Sequence, residues 1–242
     1  MLIDIGGTQL HFQEQGEAKK TLVLLHGLGM NCELWRSQVP VFSRYFRTIA
    51  VDLRGFGKSS APKGPGAFKI DAMAKDIIEL IKKLGISGCH LLGTSMGGFV
   101  AQSLAISEPT LCKSLVLSNT APKMSIPKKI LEERIEALST LPLDEYGNLV
   151  AEQACSSKSP RELKEWVISM IKKNDRAIYQ KVLIEGLSEF NVLPSLRKIT
   201  LPTLVIVGEH DRVLPAEEGR KIGRLIKGSK VVEISSVGHL AY

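Results

Sequence analysis

Leu91-Leu92-Gly93-Thr94-Ser95-Met96-Gly97-Gly98 is the stretch whose reading decides the fold. It sets one serine between two glycines, after an apolar run from Cys89 to Leu92 and before a helix-like run from Phe99 to Ile106. That is the strand, sharp turn and helix in which a G-x-S-x-G elbow occurs. Such a turn holds its central residue in a strained backbone conformation, and side chains at the flanking positions would collide with the strand and the helix. Gly93 and Gly97 therefore have a steric reason to be glycine, and Ser95 is pushed outward as a candidate nucleophile.

On either side the chain alternates strand and helix patterns. Leu2 to Ile5 and Gln9 to Gln15 read as two short strands joined at Gly6-Gly7, which suits a tight antiparallel turn. Thr21 to Leu25 is apolar throughout, as in strands buried on both faces, and ends in His26-Gly27-Leu28-Gly29. Glu33 to Phe46 is predicted as a helix with Trp35, Val39 and Phe42 on one side, followed by a strand from Thr48 to Val51. Met73, Ile77, Ile78, Ile81 and Leu84 recur at helical spacing from about Asp71, with Gly85 as the stop. Ser114 to Leu117, Thr203 to Val207 and Lys230 to Ile234 supply three more strands. The rhythm predicts an α/β protein with a mostly parallel, eight-stranded sheet flanked by helices.

From 123 to 196 the texture changes to at least three helical patterns with no convincing strand. One of them opens with Ser159-Pro160-Arg161-Glu162, read as a capping box with proline at the first helical position. Because strand patterns resume afterwards, the stretch reads as a helical cap inserted into one sheet domain. The expected division is 1–122 and 197–242 for the core and 123–196 for the cap.

A chain of 242 residues, 44% hydrophobic and 24% charged, can bury a sizeable core and fits one domain with an insertion. Cys32, Cys89, Cys112 and Cys155 form no C-x-x-C pair, so neither a zinc knuckle nor a disulfide framework is expected. There is no signal-like N-terminus and no uncharged apolar run of about 18 residues, which leads to the expectation of a cytoplasmic protein with no membrane partner. The net charge of +7 is spread over short pairs such as Lys82-Lys83, Lys128-Lys129 and Lys172-Lys173. Helix dipoles account for the first and third pairs, and no recognition motif accompanies the charge, so no nucleic-acid partner is expected.

Five anchors carry a resemblance: His26-Gly27-Leu28-Gly29, Asp52-Leu53-Arg54-Gly55-Phe56-Gly57-Lys58-Ser59, Gly93 to Gly98, Gly208-Glu209-His210-Asp211-Arg212-Val213-Leu214-Pro215, and Val237-Gly238-His239. With them the chain resembles, over nearly its whole length, the α/β-hydrolase-fold serine hydrolases that bear a helical cap. The chemistry of the residues agrees, because a serine hydroxyl attacks only when an imidazole takes its proton and a carboxylate fixes that imidazole's tautomer. Asp211 and His239 each follow a late strand, and Ser95, Asp211, His239 is the chain order expected of this fold. The resemblance further implies backbone N–H donors for an oxyanion at Leu28 and Met96. It also implies a final helix after the histidine, whereas the sequence stops at Tyr242.

The remaining histidines and acids stand at less suitable positions. His26 lies within the glycine loop and reads as a loop-orienting group, with a base role as the alternative. His90 sits at the start of the elbow strand, His11 in the first hairpin, and His210 beside Asp211, where it reads as a packing residue. Asp52 resembles the family's structural D-x-R-G turn but is also a second candidate acid. Asn119 occupies the other strand end at which the family can carry an acid, and it is not a carboxylate.

The resulting expectation is hydrolysis of a small, fairly apolar carboxylic ester through an acyl-enzyme on Ser95, with no metal and no organic cofactor. A lactone or carbon-carbon bond hydrolase is the alternative on the same fold, since Leu117 to Ala121 is similar to a segment of enol-lactone hydrolases. A non-catalytic ligand receptor is the alternative from another class. A haloalkane dehalogenase is disfavoured because its nucleophile is an aspartate. The expected partner is a small-molecule ester or lactone, and the expected assembly a monomer or homodimer. Trp35, Phe99, Met124 and Trp166 are candidate pocket walls, with ordinary core packing as their other reading.

Overall fold

Residues 1–124 and 127–240 are described by the computed structural model. Eight strands form one sheet: β1 (Leu2–Asp4), β2 (Gln9–Gln15), β3 (Thr21–Leu25), β4 (Arg47–Val51), β5 (Cys89–Thr94), β6 (Cys112–Ser118), β7 (Thr203–Gly208) and β8 (Lys230–Ile234). Their order across the sheet is β1-β2-β4-β3-β5-β6-β7-β8, and β2 alone runs against the others. This is the mostly parallel eight-stranded α/β-hydrolase sheet. The first turn is the expected hairpin, with Gly6 and Gly7 at φ 90° and 93°.

Every residue of β3 is buried, as its unbroken apolar run requires of a strand covered on both faces. α3 (Met96–Ser107) packs on β3, while α1 (Val39–Phe42) lies against β4, α2 (Ile70–Lys83) against α3, and α8 (Ala216–Leu225) against β7 and β8. α2 ends as its sequence indicates, with Lys82 and Lys83 in the last turn and Gly85 at φ 67° just beyond. The helix expected over Glu33 to Phe46 is broken instead into a 3₁₀ turn (Cys32–Trp35) and the short α1. Pro40 is the cause: it has no N–H for the Arg36 carbonyl, and its ring would strike that carbonyl in a continuous helix.

Between β6 and β7, which are sheet neighbours, the chain makes a helical excursion: α4 (Lys128–Thr140), α5 (Leu143–Ala154), α6 (Arg161–Lys172) and α7 (Arg176–Lys181), the last running into a π-helical turn (Val182–Leu187). A lone antiparallel bridge between Lys123 and Asn191 ties its two ends. The capping box expected at Ser159 is not formed. α6 starts at Arg161 with Pro160 extended before it, and the Ser159 hydroxyl is occupied by the Ser156 N–H at 3.0 Å. Among the described residues no helix is long and apolar enough to cross a membrane. Tyr242 and the position of any helix after His239 lie outside the described residues.

The elbow joins β5 to α3 at the centre of this sheet. A Cβ at Gly93 would stand 2.2 Å from the Gly97 carbonyl oxygen, and one at Gly97 2.1 Å from that of Leu25. These are rigid main-chain atoms, so Gly97→Ala is expected to cost at least the roughly 1–3 kcal/mol of ordinary core overpacking, read as a lowered Tm.

Candidate active site

Ser95 sits at φ 53°, ψ −120°, a backbone state that non-glycine residues enter only under constraint. The constraint is visible in its partners. The Ser95 N–H donates to the Ser118 carbonyl at 3.0 Å, and the Ser95 carbonyl accepts from Gly98 N–H and from the Thr120 hydroxyl at 2.8 Å. Strand β6 thus holds the elbow from the side.

Asp211 follows β7 and is buried, with all its acceptor capacity in use. Its Oδ1 accepts the Val213 and Leu214 N–H groups at 2.8 and 2.9 Å; its Oδ2 accepts from Asn119 Nδ2 at 2.9 Å and meets His239 Nδ1 at 2.7 Å. Burial pushes this carboxyl up, but the His239 charge and hydrogen bond, together with the Asn119 and Leu214 donors, outweigh it and hold the group below its ordinary value. An ionised carboxylate only accepts, so His239 donates to it through a proton on Nδ1. The His239 loop is docked in turn, since its N–H donates to the Ala154 carbonyl at the end of α5 at 2.8 Å.

Ser95 and His239 line one cavity of about 390 Å³, together with Gly27, Leu28 and Met96. Phe99 and Met124 also border it, whereas Trp35 is in the core and Trp166 lies under the Arg36 guanidinium, 4.1 Å from its ring centre. The sequence-selected residues Ser95, His239, Leu28 and Met96 are therefore gathered around one space, with Asp211 behind the histidine.

The other candidates are engaged elsewhere. Both ring nitrogens of His26 are committed, Nδ1 donating to the Gly27 carbonyl and Nε2 accepting the Leu53 N–H, and burial lowers its pKa, so it is neutral. His90 meets the Ser114 hydroxyl at 2.7 Å. His210 is not packed as expected: its side chain is 53% exposed beside Glu209, because its main chain is the part tied down, to Val237. Asn119 was legible only as a missing carboxylate. It instead binds the carboxylate that is present, and bridges it to the Gly238 carbonyl at 3.2 Å.

Among the described residues one group has the composition of a metal site, His11, Cys32 and Asp52. Asp52 is already claimed by the N–H groups of Cys32 at 2.6 Å and Lys58 at 2.9 Å and by His11 Nδ1 at 2.8 Å. Burial raises the Cys32 thiol far above its ordinary value, so it is a neutral thiol rather than a thiolate ligand. The donor set fits a turn anchor better than a metal. Asp52→Asn, which leaves at least one of these donors facing an amide N–H, is expected to cost roughly 2–3 kcal/mol in unfolding experiments while the folded fraction keeps its kcat.

The chain matches the α/β-hydrolase-fold family over residues 20–242 and belongs to it. It is 30% identical over 254 aligned positions to the 2-hydroxy-6-oxononadienedioate/2-hydroxy-6-oxononatrienedioate hydrolase of Klebsiella pneumoniae, covering 99% of this chain and 88% of that one. The enol-lactonase of Burkholderia xenovorans superposes with a TM-score of 0.92 at 26% identity, covering 100% of this chain and 93% of that chain. An esterase of Exiguobacterium antarcticum superposes with a TM-score of 0.89 at 26% identity, covering 96% and 89%. Its relatives thus include hydrolases of several kinds.

Proposed function

We propose that the protein hydrolyses small carboxylic esters, cyclic esters included, through an acyl-enzyme on Ser95. The observation that carries this reading is the strained Ser95 opening on the same cavity as His239, whose Nδ1 lies 2.7 Å from Asp211. In the reaction His239 Nε2 takes the hydroxyl proton as Ser95 Oγ bonds to the carbonyl carbon. The same proton then passes to the alcohol oxygen as the ester C–O bond breaks. Water, deprotonated by His239, releases the acid and restores the serine. The N–H groups of Leu28 and Met96 serve the developing oxyanion, each worth roughly 3–4 kcal/mol.

The helical excursion, divided at 123–196, acts as a cap, since Met124, Leu131, Tyr146 and Tyr179 from it close the cavity that Ser95 opens on. Enol-lactonase and esterase relatives support the ester class, because a lactone is an ester closed on itself. Turnover of a panel of short-chain p-nitrophenyl esters and simple lactones tests the reading; no turnover of any member by folded protein would overturn it.

A further inference from the structure

The wall of the cavity carries two formal charges, Glu133 and Arg134, neighbours on α4. Glu133 is exposed, where water and salt screen it. Arg134 is half-buried, with Nε shut off from solvent and without a hydrogen-bond partner, and with Nη2 donating to the Gln153 side chain at 2.8 Å. Arg47, Arg54, Arg161, Arg220 and Arg224 each have a carboxylate partner; Arg134, like Arg36, Arg44, Arg176, Arg197 and Arg212, has none among the described residues, and of these it is the one that lines this cavity. A guanidinium in a largely apolar cavity wall with no carboxylate beside it attracts an anion, and its planar fork matches a carboxylate.

Two phenols complete the surroundings. Tyr146 of α5 and Tyr179 of α7 are buried in the same wall, their ring centres 5.7 Å apart and their planes nearly perpendicular. Both phenols lie within the electrostatic field of Arg134. Burial raises both phenols above their ordinary value, so they remain neutral donors. A neutral phenol carries one O–H donor, which a bound anion can accept. The rest of the lining is largely aliphatic and aromatic, with Leu28, Phe99, Leu183 and Leu214 among it.

We infer that Arg134, Tyr146 and Tyr179 form an anion subsite, and that the preferred substrates are esters bearing a carboxylate at the end remote from the scissile bond. One cation with neutral donors balances a single negative charge, which favours a carboxylate over a doubly charged phosphate. The inference rests on the ester-hydrolase reading and narrows its substrate class.

Monomethyl adipate and methyl hexanoate have the same ester and chain and differ in the terminal carboxylate, so they isolate the subsite. Calorimetric titration of Ser95→Ala protein is expected to show the half-ester binding roughly ten- to a hundredfold tighter, the range of one charged hydrogen-bonded pair. In the active protein the kcat/KM ratio of the two esters should follow the same preference. Adding Arg134→Gln should bring the binding ratio to about one, and Arg134→Lys, which keeps the charge without the fork, should leave an intermediate ratio. The ratio is read within each folded variant, so a structural role of Arg134 alone would not move it; should Arg134→Gln fail to fold, Arg134→Lys and Tyr146→Phe carry the test, each with a reduced ratio. Equal binding of the two esters, or a preference that survives Arg134→Gln, overturns the subsite. Hydrolysis without carboxylate preference would do so while leaving the ester reading intact. Carboxylate-selective binding with no hydrolysis of either ester would instead sink the ester reading and leave the subsite standing.

Discussion

Ser95→Ala is expected to lower kcat for a short-chain p-nitrophenyl ester by on the order of 10⁶, the loss seen when a serine hydrolase loses its nucleophile. The reason is local. The hydroxyl is the one group at the elbow that can bond to the carbonyl carbon, and nothing that holds the elbow depends on it. The Ser95 main chain is fixed by Ser118, Gly98 and Thr120, and the flanking glycines keep their fit. Tm should therefore stay within about a degree or two of the parent, since no core volume is removed. A variant that melted normally and still turned over the ester, free of contaminating hydrolase by mass, would contradict the assignment.

The second large effect is expected of Asp211→Asn, a loss of about 10⁴ in kcat. All the contacts of Asp211 need an acceptor, and an amide has one acceptor oxygen. If that oxygen stays where it serves the Val213 and Leu214 N–H groups, the NH₂ faces His239 Nδ1 and Asn119 Nδ2. The imidazole must then accept at Nδ1 and carry its proton on Nε2, where it cannot act as a base toward Ser95. Asp52→Asn makes the contrast, because its cost falls on the turn that receives the Cys32 and Lys58 N–H groups. A large rate loss at unchanged Tm for Asp52→Asn, with near-normal rate for Asp211→Asn, would show the carboxylate to be wrongly assigned.

The parts of this molecule legible in its sequence are those where a local rule leaves little choice. The all-apolar Thr21 to Leu25 requires a strand covered on both faces, the glycines around Ser95 require a turn with no room for a Cβ, and Gly85 marks a helix end with positive φ. Ordering of the strands then brings the ends of β5, β6 and β7 side by side, and with them Ser95, Asn119 and the Asp211 loop. What escaped was decided by competition or by distance. Apolar periodicity from Glu33 to Phe46 is real, but Pro40 cuts the helix that it suggests. The Ser159 hydroxyl had two N–H groups to choose from and took that of Ser156. Asn119, read as the absence of an acid, gained its meaning only through contacts 92 and 119 residues away. In the sequence Arg134 is one charge among many on a helical pattern, because helical periodicity says which residues share a face but not that Tyr146 and Tyr179 line the same cavity.

The central claim is a covalent bond to Ser95, and mass spectrometry of protein treated with a fluorophosphonate probe tests it most directly. One adduct per chain is predicted, on the peptide containing Ser95, formed in the parent and not in Ser95→Ala. An adduct on another residue, or ester turnover by protein that acquires none, would contradict it.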